Sequence, residues 1–145
     1  MPLNGRMPLV AVEKLDVTFG LDVQAVRGVS LEIDKGEILG LVGESGSGKS
    51  VTARSLMRLN DGPGARMTGR ITFAELGNLM DLPEKAMRGI RGNRIAMVLQ
   101  DPMTSLNPAY RIGDQIAEVF RLPRGHSKRE GRKRAVDLLE RVGLP

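Results

Sequence analysis

Cysteine is absent from all 145 residues, which excludes a disulfide framework and any zinc site built on thiolates. Histidine occurs once, as His126, between two helical patterns, where it reads as a loop residue. Tryptophan is missing and the aromatics amount to one Tyr and three Phe, so no stretch interleaves cations with rings that could stack on bases. No run of 18 apolar residues occurs, so no helix long enough to span a bilayer is expected. Met1 to Val10 holds Pro2, Asn4, Gly5 and Pro8 and no apolar core of signal-peptide length. These absences suit a reducing compartment, and the chain is expected to be cytoplasmic. What remains is globular in composition: 41% hydrophobic residues is enough to build the core of about one domain.

The net charge of +5 is concentrated. Arg121, Arg124, Lys128, Arg129, Arg132, Lys133 and Arg134 are opposed within their segment only by Glu130, giving +6 there and −1 over the remainder. The plainest reading is a solvated helix face. A surface for an acidic partner or anionic lipid is the alternative, and nucleic acid is not expected.

Hydrophobic patterning predicts strands over Leu9–Phe19 and Val23–Ile33, then a turn at Asp34-Lys35-Gly36. Glu37 to Val42 is a short apolar run of the kind that forms a buried parallel strand, and Arg94 to Leu99 is a second. Helices are expected over Lys49–Leu59, closed by Asn60 to Gly64, and over Pro83–Ile90, with a short strand Arg70–Phe73 between them. After the loop Asp101–Pro108, Ile112, Ile116, Val119 and Phe120 share one helical face. Ser127 and Glu130 have capping-box spacing, which starts a helix with apolar positions Ala135, Leu138, Leu139 and Val142 that stops at Gly143.

The chemistry is concentrated in Gly43-Glu44-Ser45-Gly46-Ser47-Gly48-Lys49-Ser50, which fits G-x-x-x-x-G-K-[ST] between a strand-like run and a helix. A triphosphate is a dense anion cluster, and successive backbone N–H groups turned inward make a nest for it. The glycines let backbone approach phosphate with no Cβ between them, and the next helix turns its N-terminus to the anion. Lys49 supplies an ammonium for the β- and γ-phosphates, Ser50 a hydroxyl for Mg²⁺, and Val51 follows in the first helical turn.

With these residues the chain resembles the ATP-binding subunits of ABC transporters. Val26-Arg27-Gly28-Val29-Ser30-Leu31-Glu32-Ile33 and Lys35-Gly36-Glu37 are similar to that family's approach to its phosphate loop, the Walker A motif. Phe19, 24 residues before Gly43, stands where the family stacks an aromatic on adenine. The resemblance places Val26 on the other side of the base, and a core position in the strand is the competing reading of Phe19. Ile95-Ala96-Met97-Val98-Leu99-Gln100-Asp101-Pro102-Met103-Thr104-Ser105-Leu106-Asn107-Pro108 resembles the Q-loop of importers of oligopeptides, dipeptides and nickel, although Leu99 departs from the aromatic more usual there. Gln100 would then help to hold Mg²⁺ or the attacking water.

The resemblance implies ATP and Mg²⁺ as ligands, a second ATP-binding subunit and transmembrane permease subunits as partners, and a peripheral location on the cytoplasmic face of the membrane. It implies the α/β P-loop fold: a partial core, an antiparallel β-subdomain and the start of a helical subdomain. Residues 1–8 are expected to be a tail, 9–100 the β-subdomain and phosphate-loop core, and 101–145 the Q-loop and first helical-subdomain segment. No Leu-Ser-Gly-Gly-Gln-type motif occurs, nor an apolar strand followed by Asp-Glu, and His126 precedes the place of the family's switch histidine. The chain therefore reads as a truncated importer subunit, a gene fragment or a degenerate gene. It is expected not to hydrolyse ATP at an enzymatic rate and to leave core strands without neighbours. A nucleotide-binding module without turnover, or part of an ABC-type DNA-repair ATPase, are the alternatives. The Gln100–Pro108 string and the lack of a Cys cluster or long heptads weigh against the last.

Overall fold

The computed structural model describes residues 7–60, 64–100 and 105–144. The chain divides into two units, Met1–Met87 and Arg88–Pro145.

The first unit is built on β1 (Val10–Phe19), β2 (Val23–Ile33) and β3 (Arg66–Phe73), an antiparallel sheet in the order β2-β1-β3. Central β1 contributes Val12, Leu15 and Val17 to the core, joined by Ile71 and Phe73 of β3 and by Leu79 and Met87. Each such burial stabilises the unit by about 1.5–3 kcal/mol relative to exposure. Strict alternation fails at Lys14, whose φ of 47° marks a bulge. The amide this displaces donates to Ser30 Oγ at 2.9 Å. Gly69 of β3 lies opposite with φ 103°, and the place of a Cβ there is taken by the carbonyl oxygens of Lys14 and Glu13. That glycine hides the strand from pattern reading: β3 starts at Arg66, not at the expected Arg70.

Helix α1 (Lys49–Ser55) is shorter than its pattern suggests. Leu56 to Arg58 leave it as a turn that ends with Arg58 at φ 52°. The Asn60 side-chain amide donates to Val51 O at 3.1 Å and Ser55 Oγ at 2.7 Å, closing the helix end. Arg58 Nη1 reaches the carbonyls of Leu79 and Leu82, tying down a 3₁₀ turn (Leu79–Asp81) that the pattern does not reveal. Helix α2 (Glu84–Ile90) follows Pro83 as expected.

Two expectations are corrected. Glu37 to Val42 is not a strand: Ile38 and Val42 are 96% and 93% exposed, and Leu39 and Leu41 are about half exposed. Arg94 to Leu99 is not a strand either; its sole ladder contact among the described residues is the isolated bridge Arg91–Ile95, and Val98 is 98% exposed. A buried parallel strand needs a hydrogen-bonded neighbour and cover on both faces. An apolar run supplies neither by itself.

In the second unit, α3 (Ile112–Arg124) ends at left-handed Gly125, and α4 (Lys128–Arg141) begins at the expected capping box. Ser127 N donates to Glu130 Oε2 at 2.9 Å, and Glu130 N to Ser127 Oγ at 3.3 Å. The two helices pack with Ala117 against Gly131, where a Cβ would lie 2.9 Å from the Ala117 carbonyl. Ala135 is buried beside this contact. Arg132 Nη2 donates to Asp114 at 2.8 Å across the pair. Gln115 fastens the preceding loop, donating to Asn107 O at 2.9 Å and Tyr110 O at 3.0 Å while accepting from Asn107 N at 2.8 Å.

Candidate nucleotide site

Gly43 to Ser50 forms a closed loop at the start of α1. The Lys49 ammonium turns back into it and donates to Gly43 O at 2.8 Å, Glu44 O at 2.6 Å and, more weakly, Ser47 Oγ at 3.4 Å. Ser47 N donates to Glu44 O at 3.2 Å, completing the turn. Gly46 and Gly48 both have φ above 80° or at it, the left-handed region that such a loop requires. Gly48 also lies directly against β2: a Cβ there would collide with the carbonyl oxygen of Ala25 and sit 3.4 Å from Val26 Cγ2.

The beginning of α1 is held from within. Thr52 returns its amide and hydroxyl to Gly48 O at 2.8 and 3.0 Å, and buried Ser55 donates to Val51 O at 2.8 Å. Ser50 is exposed, and Val51 is half-buried. Glu44 and Ser45 lie on the open side of the loop, exposed. The arrangement can hold an anion: a lysine ammonium is already gathered at the loop with two flexible glycines beside it, and the helix N-terminus carries partial positive charge.

Beside the loop a cavity of about 380 Å³ is lined by Gln24, Ala25, Val26, Arg27 and Val29 of β2 and by Gly46 and Ser47. Val26 is thus both a wall of this cavity and, at 3% exposure, a buried packing residue. Phe19 ends β1, half-buried and paired with Val23. Gln100 is exposed and belongs to the second unit, and Asp101 to Thr104 lie outside the described residues. Among the described residues, no three His, Cys, Asp or Glu side chains gather where they could hold a metal ion.

Pattern reading passed over Asp16, whose Oδ1 accepts hydrogen bonds from Gln24 Nε2 and Gly28 N, both at 3.1 Å. The available signal was a carboxylate in the interior of a strand, where Asp is depleted.

The family model for ABC transporters matches residues 26–145. The chain belongs to the ABC transporter family. Its relatives narrow the likeness further. It is 52% identical over 129 residues to the oligopeptide transport ATP-binding protein OppD of Bacillus subtilis, covering 88% of this chain and 36% of that protein. It is 44% identical over 142 residues to the dipeptide transport ATP-binding protein DppD of Escherichia coli, covering 96% and 43%. The chain thus spans well under half the length of the curated relatives it matches. Among solved structures, cbiO1 from Clostridium perfringens, described as part of the ABC transporter complex cbiONQ, aligns with a TM-score of 0.64 over 94% of this chain and 51% of that one. At 23% identity that likeness establishes the fold, the ABC ATPase type with its antiparallel sheet and helices.

Proposed function

We propose that Gly43 to Ser50 binds the phosphates of ATP and that the protein to which these residues belong energises import of peptides or related solutes through a membrane permease. The observation that carries the reading is the Lys49 ammonium drawn into a glycine loop by Gly43 O, Glu44 O and Ser47 Oγ. Phosphate oxygens are stronger acceptors for an ammonium than neutral carbonyls. The cavity between β2 and the loop lies beside that charge, with room for part of a nucleoside. The relatives whose names specify oligopeptide and dipeptide transport support the class of solute.

Within this reading the backbone of Gly43, Glu44, Ser45, Gly46, Ser47 and Gly48 surrounds the phosphates, and Val51 extends the helical turn behind them. Ser50, exposed at the first turn, would supply a hydroxyl to Mg²⁺; Gln100, in the second unit, is the proposed residue for holding Mg²⁺ or the attacking water. Phe19 stacks on the base and Val26 borders it. Mg²⁺ itself supplies charge neutralisation for phosphoryl transfer. A second ATP-binding subunit and permease subunits are the proposed partners, at the cytoplasmic face of the membrane. Among the described residues no helix is long and apolar enough to cross a membrane. For the permease contact the proposed surface is Met103 to Tyr110 with Arg111 to Arg121, of which Met103 and Thr104 lie outside the described residues.

Calorimetric titration with Mg-ATP tests the phosphate site. Lys49→Ala should lose about 1.5–3 kcal/mol of binding, the worth of hydrogen bonds to a charged group. Unchanged affinity would refute the assignment. Phe19→Ala should weaken ATP and GTP alike by about 1–3 kcal/mol if the ring stacks on the base. If Phe19 is only a core residue, the variant melts earlier and binds normally.

A further inference from the structure

Strand β2 is longer than its partner requires. Opposite the four residues Leu15 to Thr18 of β1, it runs through the six from Gln24 to Val29, so two extra residues are bulged out of the ladder. Asp16 Oδ1 spans most of this bulged run, accepting from the Gln24 side chain at its start and from the Gly28 amide one residue before its end, at 3.1 Å each. Gly28, at φ 57°, has its N–H turned out of the regular ladder, and the carboxylate satisfies it. Between the two grips lie Ala25, whose carbonyl fills the space where Gly48 has no side chain, and buried Val26, whose Cγ2 lies against the same glycine. Gln24 to Arg27 also form one wall of the cavity beside Gly46 and Ser47.

The geometry points to Asp16 as a positioning residue for nucleotide binding. It holds the bulge of β2 in the shape that seats Ala25 and Val26 on the first residue before α1, and it shapes the cavity wall next to the phosphate loop. It acts through Gln24 and Gly28 and touches no nucleotide itself. The role rests on the reading that the loop binds ATP. It also accounts for a carboxylate at a strand position where aspartate is otherwise unfavourable.

The test is Mg-ATP affinity by calorimetry, with nucleotide-free melting curves, for wild type, Asp16→Ala, Asp16→Asn, Gln24→Ala and Lys49→Ala. Asp16→Ala should raise Kd about fivefold to tenfold, the net worth of roughly one hydrogen bond. Asp16→Asn keeps an Oδ1 that accepts both bonds and should stay within about twofold of wild type. Gln24→Ala removes one grip from an exposed side chain; it should raise Kd about twofold to threefold without moving the nucleotide-free melting point. That pattern separates positioning from bulk stability, which would shift melting and spare affinity. Should Asp16→Ala fail to fold, Gln24→Ala carries the decision. Wild-type affinity in Asp16→Ala or in Gln24→Ala, beside a weakened Lys49→Ala, overturns the role of Asp16 alone. So does an Asp16→Asn as weak as the alanine variant. A wild type that binds no ATP overturns this role and the phosphate-site reading together.

Discussion

Strand β1 and the segment Glu37–Val42 are both short, rich in Val, Leu or Ile, and both lead toward the candidate site, yet they end in opposite environments. β1 has β2 on one edge and β3 on the other, and its Leu15 and Val17 are fully buried. Glu37 to Val42 has no ladder partner among the described residues, and Ile38 and Val42 stand almost wholly in solvent. The difference teaches that apolar composition sets an appetite for burial, whereas a strand exists only as one member of a pair. Backbone N–H and C=O groups find their partners across a ladder, and apolar side chains find cover only after that ladder is built.

The comparison can be broken most forcefully by truncating one apolar side chain on each side of it. Leu15→Ala should destabilise the first unit by about 2–5 kcal/mol in chemical denaturation, because removing three buried carbons leaves a cavity. Ile38→Ala should stay within about 0.5 kcal/mol, as for an exposed surface position. A large loss in the second variant would mean that this segment is buried in solution and the contrast is void. Glycines sharpen the same contrast at a smaller scale. Gly69→Ala must hold a side chain at φ 103° against two backbone oxygens and should cost about 1–3 kcal/mol. Gly40→Ala meets nothing within 4 Å and should be neutral to within about 0.5 kcal/mol by the same denaturation measurement.

The smallest of the expected losses lies in α3 and α4, where charged partners add to a small apolar contact. Ser127→Ala removes the cap of α4 and should cost about 1 kcal/mol, read from helical circular dichroism on heating. Ser127 donates to Glu130 from its hydroxyl and its amide, which holds that carboxyl below the usual carboxylate range. The hydrogen bond from Arg132 does the same for Asp114. A lowered folded pKa stabilises the folded chain above the ordinary carboxylate pKa, and that contribution is lost as pH falls through the lowered value. Acid titration should therefore loosen this helix pair below roughly pH 4, and Ser127→Ala should flatten the dependence. An acid response identical in the two proteins would show that the Ser127–Glu130 contact is not kept in solution.

Much of this was legible because the relevant signals are local. Ser127 and Glu130 specify a helix start through hydrogen bonds three residues apart, and the structure has it there. The limits of β1 and β2 follow from Val-rich runs broken at Gly20 to Asp22. The candidate loop Gly43–Ser50 is readable because its fixed positions, Gly43, Gly48, Lys49 and Ser50, fit one chemistry. What escaped depends on residues distant in sequence. The Lys14 bulge is only intelligible beside Gly69 and Ser30, and the start of β3 only beside β1. The 3₁₀ turn at Leu79 relies on Arg58, 21 residues earlier. The partners of Asp16, Gln24 and Gly28, are brought to it only by the extra length of β2 opposite.

Lys49 has a consequence for how its variants are interpreted. Its ammonium joins the two ends of the loop, bridging Gly43 and Glu44 to the residue that opens α1. It is therefore an internal cross-link as well as an electrostatic group. On the proposed phosphate-binding reading, the N–H donors now given to the Gly43 and Glu44 carbonyls and the Ser47 hydroxyl must turn to ligand oxygens, a swap of partners and not the capture of an idle charge. A lysine-to-alanine change deletes both the cross-link and the incoming bond, so its affinity loss mixes a slackened loop with a missing cation. Lys49→Arg keeps the cation but replaces the compact three-donor head by a planar fork too broad for that ring. The distance between those two variants, more than the loss in either, measures how far the loop depends on being tied shut before nucleotide enters.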